Sequence, residues 1–120
     1  MILVEAFQLA LKNALIPQGR ASRAEYWWFV LANLVVGIVI AILTRVSGIF
    51  VIVNILYTLA IIVPGLMIAI RRMHDTNKSG WFLLIGIIPI VGSIVLIVML
   101  AQKGTPGMNN YGTPSLALNR

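Results

Sequence analysis

A chain of 120 residues that is 60% hydrophobic and 10% charged is too apolar for a soluble domain of its size, and a bilayer is its natural solvent. Its net charge of +6 does not point to nucleic acid, because the cations cluster beside apolar stretches, where anionic lipid attracts them, and not on a soluble basic face. Without cysteine there is no disulfide, thiolate metal site, thiol nucleophile or Cys-linked lipid.

The opening Met1-Ile2-Leu3-Val4-Glu5 has no basic region and no small-residue cleavage site after it, so it is expected to persist in the mature protein. Glu5, Gln8 and Lys12 recur at i, i+3 and i+7, while Leu3, Val4, Phe7, Leu11 and Leu15 fill the other arc. Residues 1–16 therefore read as an amphipathic helix lying in the membrane interface until Pro17-Gln18-Gly19 ends it. Packing on the protein's own core is the alternative, since periodicity does not identify the apolar partner.

Ser22-Arg23-Ala24-Glu25 has capping-box spacing and starts the next helix. Tyr26, Trp27 and Trp28 follow as anchors at headgroup depth, and the chain is then apolar to Leu43 except for Asn33, which makes residues 23–44 the first span. Within it, Gly37 and Ala41 offer a small-x-x-x-small seam for close helix approach. After the Ser47-Gly48 turn, residues 48–70 form the second span, which includes Asn54, Tyr57, Thr58 and Pro64-Gly65.

Residues 46–70 and 79–102 contain no charge, and each stretch exceeds the roughly 20 apolar residues that cross a bilayer. Arg71, Arg72, Asp75 and Lys78 punctuate the turn between them, residues 71–79. Residues 80–101 read as a third span, with Trp81 as its interface anchor and Pro89 between Gly86 and Gly92, and residues 102–120 as a polar tail. Pro64 and Pro89 are expected to kink their helices, because proline removes a backbone hydrogen bond.

The fold class is thus an all-α membrane protein of one domain, with three transmembrane helices preceded by an interfacial amphipathic helix. Lys12, Arg20, Arg23, Arg71, Arg72 and Lys78 then share one side, against Arg45, Lys103 and Arg120 on the other. That asymmetry places the amino terminus and the 71–79 turn in the cytoplasm and the carboxyl terminus outside. The competing topology is a re-entrant hairpin around Pro89 that returns the tail to the cytoplasm, which requires its backbone to be shielded.

Gly19-Arg20-Ala21-Ser22-Arg23-Ala24-Glu25-Tyr26-Trp27-Trp28, then Pro64, then Arg71 to Trp81, then Gly104-Thr105-Pro106-Gly107-Met108-Asn109-Asn110-Tyr111-Gly112 resemble, in order, the YhaH-like bacterial inner-membrane proteins known as domain of unknown function 805. The resemblance covers about residues 19–114. Departures are small: Met73 replaces a frequent leucine, and Asn77 stands where glycine is also common, an exchange that a left-handed turn tolerates. The resemblance implies a small protein of the bacterial inner membrane, and no reaction, cofactor or catalytic residue comes with it.

Catalysis is not expected from the residues either. His74 and Asp75 are sequence neighbours and do not face each other on a helix, and neither Thr76 nor Ser79 sits in a nucleophile-elbow pattern. One histidine with Asp75 and Glu25 falls short of a transition-metal set, and the polar residues inside the spans are uncharged, unlike those of proton-coupled carriers. No cofactor is expected. The residues singled out are a charged cluster or lipid contact formed by Arg20, Arg23, Glu25, Arg71, Arg72, Asp75 and Lys78. If the first two spans pack antiparallel, Glu25 meets Arg71 or Arg72, and Asp75 meets Arg20 or Arg23, with Trp27 and Trp81 burying them in part. The favoured reading is a non-catalytic membrane protein whose basic cytoplasmic face binds anionic phospholipid or a protein partner; the alternative is a subunit of a homo-oligomeric permease or channel.

Overall fold

The computed structural model describes residues 2–116, which contain four α-helices and one 3-10 helix. They are α1 (Ile2–Lys12), α2 (Arg23–Val46), α3 (Phe50–Asp75), the 3-10 helix Gly80–Ile87, and α4 (Val91–Ala101). Arg120, counted above on the outer side, lies outside the described residues.

Among the described residues, helices α2 and α3 are the two elements long and apolar enough to cross a membrane. Only 17% and 11% of their most apolar windows are buried, while Leu34, Ile38, Ile42, Leu56 and Leu59 point outward. A soluble helix hides its apolar stripe; these two display it, as helices do when hydrocarbon surrounds them. Between them, Tyr57 donates a hydrogen bond to Asn33 Oδ1 at 2.5 Å, a polar clasp of the kind worth on average about 0.6 kcal/mol within a membrane. Gly37 and Ala41 both face outward, so they form no seam in this helix pair.

The small-residue face of α1, Ala6 and Ala10, is fully buried. Ala10 joins Ala21, Phe29 and Ile68 in the core, and Phe7 stacks on Phe29 with ring centroids 5.9 Å apart. The helix therefore packs on the protein's own core, the second of the two readings its periodicity allowed. Its polar residues Glu5, Gln8 and Lys12 stay exposed, as do Val4 and Leu11.

Residues 80–101 depart most from expectation, because they do not form one helix. The 3-10 helix ends at Ile87, Ile88 is extended, and Ile90 adopts φ 64° and ψ −67° before α4 begins. Proline explains the break: Pro89 has no N–H to donate and pushes the residue before it out of the helical region. The chain reverses through a tight turn in which Val91 N donates to Pro89 O at 2.7 Å. Gly92 permits the two arms to touch, since a Cβ there would sit 2.0 Å from Ile85 O. Pro89 thus breaks and reverses the segment, where a kink was expected. Pro64 leaves α3 helical throughout Phe50–Asp75.

Both ends of this hairpin lie at the same end of the molecule. Lys78 Nζ donates to Gln102 Oε1 at 3.1 Å, and Thr105 N donates to Asp75 O at 2.8 Å. The tail expected opposite the 71–79 turn is instead folded onto it.

Candidate functional site

The site forms where the start of α2, the end of α3 and the tail converge. Before α2, Gly19 takes φ 93°, a conformation that glycine adopts without strain, and the chain then enters Arg20-Ala21-Ser22. Ser22 caps α2 by accepting from Glu25 N at 3.1 Å. Ala21 is stitched to α3 through both backbone groups: its N–H donates to Arg71 O at 3.0 Å, and its carbonyl accepts from Arg72 Nη1 at 3.2 Å.

Asp75 sits at the centre, with no exposed side-chain surface. Arg20 Nε reaches its Oδ1 at 3.0 Å, and Arg72 Nη1 engages its Oδ2. All five N–H donors of Arg20 are in use: besides Oδ1, they serve the carbonyls of Thr105 at 2.5 Å, Gly107 at 2.6 Å, Gly112 at 3.1 Å and Asp75 at 3.3 Å. Arg72 donates to Leu100 O at 2.9 Å and to Gln102 O, which ties down the end of α4. Two arginines thus knot one carboxylate to the backbone of three separate segments. Such charge-assisted bonds are the strong class, and burial is tolerable because the donors and the carboxylate are matched.

The tail adds a second layer. Asn109 and Gly112 close a turn with bonds of 3.0 and 3.1 Å, and Asn109 Nδ2 donates to the carbonyls of His74 at 2.9 Å and Asp75 at 3.4 Å. Tail donors therefore satisfy carbonyls that the end of α3 leaves without intrahelical partners. Asn77, at φ 61°, accepts from Asn110 N at 3.0 Å, and the Tyr111 ring stacks on His74 with centroids 4.0 Å apart. His74 Nδ1 donates to Gly19 O at 2.9 Å. His74 thus bonds to Gly19 O, while the Asp75 carboxylate bonds to Arg20 and Arg72.

The other residues of the expected cluster are distributed around the knot. Glu25 is buried and lies close enough to Arg71 to act on it electrostatically, although its Oε1 accepts from Ser115 Oγ. Arg71 is buried with Nε and Nη2 lacking hydrogen-bond partners among the described residues. Arg23 is exposed and Lys78 half-buried. Trp27 Nε1 donates to Leu100 O at 3.3 Å and Tyr26 meets Trp27 edge-on, so both pack within the protein; Trp28 is half-buried. Trp81, expected to bury part of the cluster, is 78% exposed and does not.

Sequence reasoning missed the tail's share of the site, namely the carbonyls of Thr105, Gly107 and Gly112 together with Asn109 and Tyr111. Backbone acceptors leave no mark on residue type, but the Gly104–Gly112 motif and the Gly86, Pro89, Gly92 pattern were visible.

The sequence profile of the family described as "Protein of unknown function (DUF805)" matches residues 14–113. The chain is 43% identical over 103 residues to Inner membrane protein YhaI of Escherichia coli (strain K12), covering 85% of this chain and 87% of that one. It is 36% identical over 107 residues to Inner membrane protein YhaH of the same strain, covering 85% and 88%. No solved structure matches it. The profile spans the capped start of α2, the end of α3 and the tail turn, the segments that build the knot, and on this evidence the chain belongs to the DUF805 family.

Proposed function

We propose that this is a non-catalytic protein of the bacterial inner membrane, with two spans and a re-entrant hairpin, whose cytoplasmic end holds anionic phospholipid. The observation that carries the reading is how charge is divided at that end. Glu25 and Asp75 are buried, whereas Lys12, Arg23 and Lys103 are exposed and Lys78 is half-buried, with Glu5 the one exposed acid among the described residues. Arg20, Arg71 and Arg72 turn inward, so the lipid-facing cations are a different set from the one the motifs suggested. At about 1 kcal/mol per cation near an anionic surface, four of them supply about 4 kcal/mol of gross attraction before Glu5 offsets part.

Topology supports the same reading. Lys12, Arg20, Arg23, Arg71, Arg72, Lys78 and Lys103 gather at one end, against Arg45 alone among the described residues at the other, and cytoplasmic segments carry the excess of Lys and Arg. The hairpin arms of 8 and 11 residues extend about 16 Å each, about half of a 30 Å hydrocarbon core. Its tip supplies hydrogen bonds of its own: Ile88 N to Ile85 O at 3.1 Å, Gly92 N to Ile88 O at 3.1 Å and Ile94 N to Ile90 O at 3.1 Å. Backbone at membrane depth needs such partners.

Native mass spectrometry of the protein released from nanodiscs tests the lipid reading. Phosphatidylglycerol should be retained over phosphatidylcholine, with retention falling as salt rises. Equal retention of the two lipids would remove this reading.

A further inference from the structure

Beside the knot, between the start of α2 and the tail, lies a cavity of about 330 Å³ lined by Arg23, Asp75, Lys103, residues 104–107, Pro114 and Leu116. Its size falls at the small end of the range of about 300–1,000 Å³ for ligand sites. Arg23 and Lys103 are exposed, and neither has a hydrogen bond or ion pair among the described residues. The one acid in the lining, Asp75, has each carboxylate oxygen engaged by a guanidinium. The carbonyls of Thr105 and Gly107 accept from Arg20. The cavity therefore presents two cations beside a carboxylate whose two oxygens are both engaged by other guanidiniums.

We propose that this cavity binds a phosphate ester, its phosphate bridged between Arg23 and Lys103. The guanidinium offers a planar fork that matches phosphate oxygens, and the ammonium a compact charge on a flexible stem. Pro106, Pro114 and Leu116 supply an apolar wall for the organic part of the ester. A carboxylate of the same size is a weaker match, having fewer oxygens and less charge to share between two cations. The site sits at headgroup depth in the proposed topology, so the proposal rests on the anionic-lipid reading for the source of its phosphate. Its chemistry serves a phospholipid headgroup and a soluble phosphate ester equally, and experiment separates the two.

The full chain is placed in phosphatidylcholine nanodiscs with and without phosphatidylglycerol, and lipid retention is measured for wild type, R23Q, K103Q, K103R, K12Q and K78Q. In parallel, glycerol phosphate and inorganic phosphate are titrated in solution. R23Q and K103Q should each weaken glycerol phosphate binding about tenfold, the scale of one lost charge-assisted contact, and phosphatidylglycerol retention with it. K103R, which keeps the charge, and K12Q and K78Q, which lie outside the cavity lining, should leave glycerol phosphate binding within about twofold of wild type. Competition by glycerol phosphate, absent in R23Q, would show that the phosphate ester itself is recognised. Both substituted residues are exposed, so unchanged melting temperatures are expected and keep the comparison free of folding effects. Equal small losses of phosphatidylglycerol retention in the four glutamine variants R23Q, K103Q, K12Q and K78Q, with glycerol phosphate binding unchanged in R23Q and K103Q, would overturn the cavity site and leave the diffuse basic surface standing. No preference for phosphatidylglycerol, together with R23Q-sensitive binding of glycerol phosphate, would overturn the lipid reading and leave a soluble-ester site. If neither probe responds to R23Q or K103Q, the cavity proposal fails.

Discussion

Arg71 and Arg72 are adjacent, identical and both buried, yet their environments are opposite. Arg72 engages Asp75 and the carbonyls of Ala21, Leu100 and Gln102, whereas Arg71 has two nitrogens, Nε and Nη2, without acceptors among the described residues. Replacing one partner of a buried, matched pair leaves the other charged and stranded, at about 3 to 5 kcal/mol; replacing a poorly matched buried charge by an apolar side chain is often neutral or better. Arg72→Met should therefore cost about 3 to 5 kcal/mol and release the end of α4, and Arg71→Met no more than about 1 kcal/mol, since its main loss is the nearby Glu25 charge. Thermal unfolding in detergent checks both, and a larger loss for Arg71→Met would contradict the assignment. The sequence announced that these charges would gather, because lone carboxylates beside hydrocarbon are costly. It could not say which arginine would take the carboxylate, since a rotation of about 100° per helical residue separates the two and the deciding acceptors are backbone carbonyls 28 to 51 positions away.

At the scale of elements, α2 and α3 were legible because a span is declared by length and apolarity alone. The 80–101 segment passes the same test and yet folds back, since 22 residues make either one helix of about 33 Å or two arms of about half that depth. Composition is the same in both cases. What distinguishes them is Pro89 flanked by Gly86 and Gly92, and the close approach at Gly92 is a stringent requirement of the hairpin. Gly92→Ala should destabilise by about 1 to 3 kcal/mol, the usual range for overpacking, because the arm carrying Ile85 O must move away. Ile90→Gly should do the reverse: a β-branched residue at φ 64° is strained by about 1 to 3 kcal/mol, of which glycine relieves the larger part after its own entropic cost of about 0.5 to 1 kcal/mol. Melting temperatures that move in opposite directions would support the turn. A straight third helix predicts the contrary for Ile90→Gly, because glycine weakens a helix interior.

For the whole molecule, the decisive question is which side of the membrane the tail occupies. Local hydropathy left that open, and the charge count used for orientation assumed an answer when it placed Lys103 opposite Arg71. With the tail folded onto the 71–79 turn, Arg20 and Arg72 obtain the carbonyls of Leu100, Gln102, Thr105, Gly107 and Gly112. Hydrogen bonds to charged groups contribute about 1.5 to 3 kcal/mol each, so a tail on the far side would forgo several and leave two buried guanidiniums short of acceptors. Because the chain has no cysteine, single introduced thiols report position without background. Met108→Cys, at an exposed tail position, should resist a membrane-impermeant maleimide in intact spheroplasts and react after lysis, while Ser47→Cys, in the turn between α2 and α3, should react before lysis. Unfolding of the knot should expose no new side: Asp75→Asn in the Met108→Cys background should speed labelling after lysis, as the tail loosens, and leave it silent in intact spheroplasts. Labelling of Met108→Cys in intact spheroplasts would place the tail outside, restore a third span, and dismantle the re-entrant topology together with the cation count that orients it.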